Sequence, residues 1–180
     1  VSGDRLFSGS RTIKVWRFED EIWQLDKTLG GHTVGVGGHP VKMLTLCVSG
    51  RRVFSGGTDG MIKMWDWKSG GVQTLGKHDN KEVMSMCVFG DQLFSTGEDH
   101  TLRVWDLEVG YCVEIWVSSD FQARCLFILP DSDNPSGGTL FAACDDGNVR
   151  GYRCGGAFAE PPYTRPNRRT PYAPYVSLRF

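Results

Sequence analysis

The 180-residue sequence predicts an all-β fold of repeated four-stranded antiparallel sheets. Three observations carry that prediction. The stretch "VFSGGTDGMIKMWD" at 53–66 returns as "LFSTGEDHTLRVWD" at 93–106, with degenerate copies "LFSGSRTIKVW" at 6–16 and "LFAACDDGNVRGY" at 140–152. Aligned on their aromatic ends, the copies put Trp16, Trp65, Trp105 and Tyr152 in register at intervals of 49, 40 and 47 residues. Intervals of that length belong to propeller blades. Finally, 23 glycines against 8 prolines, with 40% hydrophobic and 12% aromatic content, suit many tight turns around one apolar core.

Taken in order, the partial copy at 1–29 supplies the last strands of one blade. A Gly-rich connection, "GGHTVGVGGHP" at 30–40, follows it. The next interval, 39–77, breaks into "VKMLTLCVSG", "RRVFSGG", "MIKMWDW" and "VQTLGK", short alternating runs bounded by Gly, Asp or Ser. The interval 78–117 repeats this as "EVMSMCVFG", "DQLFSTG", "TLRVWDL" and "YCVEIWV". A last blade at 121–156 reads "ARCLFILP", "TLFAACDD" and "NVRGYRC", with "DSDNPSGG" inserted in its first hairpin and expected on the surface.

Composition shifts after Gly156. The segment 157–180 holds five of the eight prolines and four arginines, with no acidic residue after Glu160. Proline removes ladder donors, so the sequence predicts an extended C-terminal arm and not a fifth blade.

The charge balance of −1, from 20 basic and 21 acidic residues, gives no global attraction to nucleic acid or anionic membrane. No apolar run approaches the roughly 18 residues of a bilayer span. Cys47, Cys87 and Cys125 recur at matching places in apolar runs, without C-x-x-C or zinc spacing. They read as buried free thiols of stacked repeats in a reducing compartment, with no metal site and no cofactor. An intracellular location, cytoplasmic or nuclear, is expected; organelle import stays open because the sequence opens on Val1 in the middle of a repeat.

"MIKMWD" and "TLRVWD", each preceded by a turn Asp and by a His about 26 residues before the Trp, resemble the WD-repeat family of β-propellers. The resemblance covers residues 1 to about 156, strongly in the two central copies. It implies a buried hydrogen-bond chain in each blade: His39, Ser55, Asp59 and Trp65 in one, His78, Ser95, Asp99 and Trp105 in the next. An indole N–H only donates, a hydroxyl donates and accepts, and a carboxylate only accepts, so the four types can be linked in series. His39 is chosen over His32 because it lies 26 residues before Trp65, as His78 lies 27 before Trp105. His32 and His100 are read as loop residues. The outer copies depart from the pattern: Ser10 stands at the Asp position of the first, leaving Ser8 and Trp16 without that acceptor, and Ala142 and Tyr152 replace the hydroxyl and the Trp of the last.

A propeller closes with four to eight blades, so the resemblance also implies an incomplete or truncated ring. The missing blades are expected upstream in a larger propeller, ahead of a second chain completing the ring. Family partners often bind the narrow top face beside the buried Asp, which here points to Thr58, Glu98 and Asp145. The expected function is a non-catalytic scaffold for protein–protein interaction, a subunit of a larger assembly. His next to Asp could serve as a general base, but the repeat already explains the spacing and no oxyanion feature stands beside it. No small-molecule substrate is expected. "GGHTVGVGGHP" lacks the Gly-Lys-Ser/Thr ending of a phosphate loop.

The arm leaves three readings open. Arg165, Arg168, Arg169, Tyr172 and Tyr175 suit docking on a neighbouring protein, a plain disordered tail, or RNA contact by phosphate pairing and base stacking. The last would make the protein an RNA-associated subunit of a ribonucleoprotein.

Overall fold

The computed structural model describes residues 4–32, 40–117, 122–134, 136–154 and 176–178. All regular structure there is β. Short alternating runs separated by turn residues pair with their sequence neighbours, since a two-residue connection can only return the chain antiparallel. The first sheet holds β1 (Arg5–Gly9), β2 (Ile13–Glu19) and β3 (Ile22–Leu29), in that order. The second runs β4 (Met43–Ser49), β5 (Arg52–Gly57), β6 (Met61–Asp66) and β7 (Val72–Lys77). The third repeats it as β8 (Val83–Phe89), β9 (Gln92–Gly97), β10 (Thr101–Asp106) and β11 (Tyr111–Val117). The fourth consists of β12 (Ala123–Pro130), β13 (Gly138–Cys144), β14 (Val149–Cys154) and β15 (Val176–Leu178).

That last strand corrects the reading of the C-terminal segment as an arm alone. Val176–Leu178 pairs antiparallel with Val149–Gly151 and completes the fourth sheet. No proline lies within Val176–Leu178, so the ladder donors that the proline-rich stretch lacks are present there.

Sheets stack face to face in chain order. Strands β4, β8 and β12, the first of each complete sheet, lie side by side, and β1 borders β4. Three apolar layers fill the interfaces. Phe7, Ile13, Val15, Val53 and Trp65 lie between the first two sheets. Phe54, Ile62, Val83, Met86, Leu93 and Trp105 lie between the second and third, and Phe94, Leu102, Val104, Leu126 and Leu140 between the third and fourth. Each sheet therefore buries both faces only when it has a neighbour on both sides. This is the architecture of an incomplete β-propeller.

Cys47 and Cys87 sit in these layers, where burial pushes both thiols up, Cys87 to about 12. All six cysteines are free thiols, with Cys125 exposed. The insertion between β12 and β13 lies on the surface at Ser132–Asn134.

Candidate functional site

The candidate site is the end of each sheet where its second and third strands turn. In the third sheet the turn Glu98-Asp99-His100 joins β9 to β10, and a series of hydrogen bonds crosses it. Trp105 Nε1–H donates to Ser95 Oγ at 2.8 Å. Ser95 Oγ lies 2.7 Å from His78 Nε2, and His78 Nδ1 lies 2.9 Å from an Asp99 oxygen. Only one assignment of protons satisfies all three contacts with a neutral ring: the serine hydroxyl donates to Nε2, and Nδ1–H donates to the carboxylate. Asp99 also accepts from the Thr101 amide at 3.1 Å, the Thr101 hydroxyl at 2.7 Å and Arg103 Nη2 at 2.9 Å. Burial alone would raise the Asp99 carboxyl; the bonds from His78 and Thr101 outweigh it and hold the group well below the usual carboxylate range.

Arg103 locks this centre to the preceding sheet. Its Nη1 donates to the Lys77 carbonyl at 2.8 Å, and its Nη2 also meets Asp79 at 2.9 Å. The His78 amide donates to the Gly60 carbonyl of the second sheet. His78 thus ties two sheets together, by its backbone to one and by its ring to the other. Gly97 is required beside it, because a Cβ there would fall 2.5 Å from His78 Nδ1.

The second sheet builds the same series from Trp65, Ser55, Asp59 and a different histidine from the one its spacing selects. Trp65 Nε1–H donates to Ser55 Oγ at 2.9 Å, Ser55 Oγ lies 3.0 Å from His32 Nε2, and His32 Nδ1 lies 2.8 Å from Asp59. His32, read from the sequence as a loop residue, therefore occupies the position assigned to His39, which lies outside the described residues. The reason is where the extra residues enter. Both histidines follow the outermost strand of the preceding sheet, so the distance upstream is fixed while the loop downstream varies. "TLGGH" at 28–32 against "TLGKH" at 74–78 is the signal that finds it. The glycine in each packs under the next sheet's Trp: a Cβ on Gly30 or Gly76 would meet the Trp65 or Trp105 ring at 3.3 or 2.4 Å. Asp59, like Asp99, is held below the usual carboxylate range, burial opposing and the bonds from His32 and the Met61 amide prevailing.

The end sheets lack this series. In the first, Trp16 Nε1–H donates to Ser8 Oγ at 2.8 Å, but Ser10 stands where the other turns have Asp. In the fourth, Asp146 meets Arg150 at 3.0 and 2.6 Å, and Ala142 and Tyr152 stand where the central sheets have Ser and Trp. Hydrogen bonds from Arg150 and Asn148 lower the Asp146 carboxyl.

Serine, histidine and aspartate here have the contact order of a nucleophilic triad. Ser55 and Ser95 are nonetheless fully buried, and each accepts the indole N–H of its Trp. A nucleophile needs a free approach for the reacting carbon, and neither hydroxyl has one. Among the described residues no cluster of three or more His, Cys, Asp or Glu side chains could hold a metal.

Thr58, Glu98 and Asp145 occupy one equivalent position in three successive sheets. Their amides donate to the carbonyls of Lys42, Glu82 and Gln122, just before the inner strands, at 2.9 to 3.0 Å. Thr58 and Glu98 are half-buried and Asp145 is exposed. Arg165, Arg168, Arg169, Tyr172 and Tyr175 lie outside the described residues.

These features define a class: a protein of stacked, propeller-type sheets whose polar side chains hold adjacent sheets together. Residues 23–66 and 71–106 match the family model "WD domain, G-beta repeat". The chain carries WD repeats over those segments. A stretch of 62 residues, 34% of this chain, is 36% identical to the "TSET complex member tstF" of Dictyostelium discoideum. Another of 73 residues, 41% of this chain, is 34% identical to the "Putative E3 ubiquitin-protein ligase LIN-1" of Lotus japonicus. The matches span only 5% and 4% of the lengths of those relatives. The crystal structure of the computationally designed Ika4 protein superposes with a TM-score of 0.67 at 23% identity, over 86% of this chain and 88% of that one, which bears on the fold alone. Among the described residues no helix is long and apolar enough to cross a membrane.

Proposed function

We propose that the chain is a non-catalytic interaction scaffold, a WD-repeat part of a larger multi-protein assembly. The observation that carries this reading is the saturation of its chemistry-bearing residues. His32, His78, Asp59, Asp99, Ser55 and Ser95 all spend their polar atoms on binding sheet to sheet. WD repeats are protein-interaction modules as a class, and one relative is named as a member of a complex. The row Thr58, Glu98 and Asp145 is the surface proposed to meet the partner, with the segment 157–175 as a second docking element. The blades are proposed to run 39–77, 78–117 and 121–156, after a partial one at 1–29.

Replacing Thr58, Glu98 and Asp145 together by Arg tests the surface. Loss of co-purifying proteins with an unchanged circular dichroism spectrum is the expected result; an unchanged set sinks the surface. For the arm, Arg165, Arg168 and Arg169 to Ala is better than deletion, which would also remove β15. Salt-dependent RNA binding lost in that variant would place RNA ahead of protein as the arm's partner.

A further inference from the structure

We propose that the chain pairs with a second copy of itself along β11, the outer strand of the third sheet, about a two-fold axis at Ile115. The proposal stands on this strand and goes beyond the scaffold reading. The third sheet has a described neighbour on each side, so the exposure of its outer strand is its own. In "YCVEIWV" every second residue is exposed: Tyr111 58%, Val113 44%, Ile115 48% and Val117 63%. The counterpart β7, also in a sheet with a neighbour on each side, reads "VQTLGK" and exposes Gln73, Thr74 and Lys77 beside a single large apolar residue, Val72. Edge strands are ordinarily guarded by outward charge or proline. The exposed residues of β11 include neither.

The backbone of this edge is open at the same residues. The Leu107 amide donates to the Asp91 carbonyl, and that register continues as Trp105 with Leu93 and Arg103 with Ser95. Antiparallel strands alternate, so Leu102 and Val104 turn their backbone groups the other way, to Trp116 and Glu114 of β11. Ile115 and Val117 thereby point their own N–H and C=O groups outward, and among the described residues β11 pairs with β10 alone. Ile115 lies opposite Arg103 and Val117 opposite Thr101. Both therefore share the face that turns to the second sheet, where Arg103 reaches the Lys77 carbonyl.

The residue order of the edge selects its occupant. An antiparallel pair centred on Ile115 sets Ile115 against Ile115, Val113 against Val117 and Glu114 against Trp116. The apolar row of one copy then meets the apolar row of the other. Glu114, the one charge in the strand, already accepts the Trp116 indole N–H at 2.8 Å within the chain. In the pair each carboxylate again stands across from an indole and never from a second carboxylate. Centred one residue earlier, the pair would set Glu114 against Glu114, and like charges directly opposite are destabilising. One patch that complements itself is the condition for a closed two-fold dimer, and the pairing removes both open edges at once.

Sedimentation velocity on the 180-residue chain tests this. At about 100 µM, a concentration suited to an interface at the small end of the range, wild type should sediment as a dimer. Ile115→Lys and Ile115→Glu, both at an exposed position, should keep the circular dichroism spectrum and sediment as monomers, since the axis sets like charges against each other. Mixed in equal amounts, the two variants should recover the dimer, because opposite charges then meet. A monomeric wild type, a dimer that survives either substitution, or a mixture that stays monomeric overturns the pairing. Amide exchange on wild type needs no variant: Ile115 and Val117 should exchange fast when dilute and about ten-fold or more slowly as the dimer forms. Slow exchange at every concentration shows the edge covered within the chain, and fast exchange at every concentration shows it left open; either overturns a second copy as the occupant.

Discussion

The third and fourth sheets share register, turn and aromatic position but are held by different forces. Phe94 of the third is completely buried against the fourth; its counterpart Phe141 is half-buried and stacks on Phe127, which is 45% exposed. Asp99 sits in a closed set of His78, Thr101 and Arg103, whereas Asp146 faces water with Arg150. Even the turn glycines record this. A Cβ on Gly60 would press into the His78 loop of the following sheet, while one on Gly147 would meet nothing within 4 Å. A sheet flanked on both sides can bury polar groups because its neighbours supply their partners; an end sheet must leave them in water.

The largest break in this comparison is Asp99 to Ala. It strands Arg103 and His78 without their acceptor, and removing one partner of a buried pair costs about 3–5 kcal/mol. The urea midpoint should fall accordingly, while Asp146 to Ala should leave it close to wild type. Equal effects would mean the two turns are held alike.

Next comes the choice of histidine. His32 to Ala leaves Ser55 and Asp59 short of a partner and should cost about 2–3 kcal/mol, from lost bonds and an unsatisfied group. His39 to Ala should fall within about 0.5 kcal/mol of wild type, because His32 already makes the bonds to Ser55 and Asp59. A larger loss from His39 would restore the spacing argument.

Acid should weaken the two central sheets first. Asp59 and Asp99 have folded-state values below the unfolded one, so their contribution is complete above the unfolded carboxylate value of about 4 and is lost as pH falls below it. The thermal midpoint of wild type should drop between about pH 4 and 2, and less steeply in Asp59→Asn/Asp99→Asn, whose midpoint is already lower at neutral pH.

The smallest effect concerns His100. It sits at φ +58°, where the equivalent turn residues are Gly60 and Gly147 at +74° and +80°. Left-handed backbone costs a residue with a Cβ roughly 1–2 kcal/mol, partly offset by the entropy glycine loses on folding. His100 to Gly should therefore raise stability by up to about 1 kcal/mol in urea denaturation. A destabilised variant would show that the His100 side chain has a role of its own.

Much of this was legible in residue order, because strand alternation and turn chemistry act over a few neighbours. The runs "MIKMWDW" and "TLRVWDL" became β6 and β10, each ending one residue earlier, at Asp66 and Asp106. Ser95, Asp99 and Trp105 fall within one hairpin, so their spacing alone brings them together. His32 shows where this stops: it reaches Asp59 across 27 residues, and an insertion on one side of it misleads any count made from that side. Gly76 reads as a turn residue until Trp105 is laid over it from the next sheet.

The sequence by itself determined the repeat, the antiparallel pairing within each sheet and the residue types of the central network, all set by local backbone preference and side-chain period. Only the tertiary structure decided which histidine closes the second network and that Val176–Leu178 returns to finish the fourth sheet. Those are contacts between segments far apart in the chain, and their outcome depends on which surfaces the stacked sheets leave uncovered.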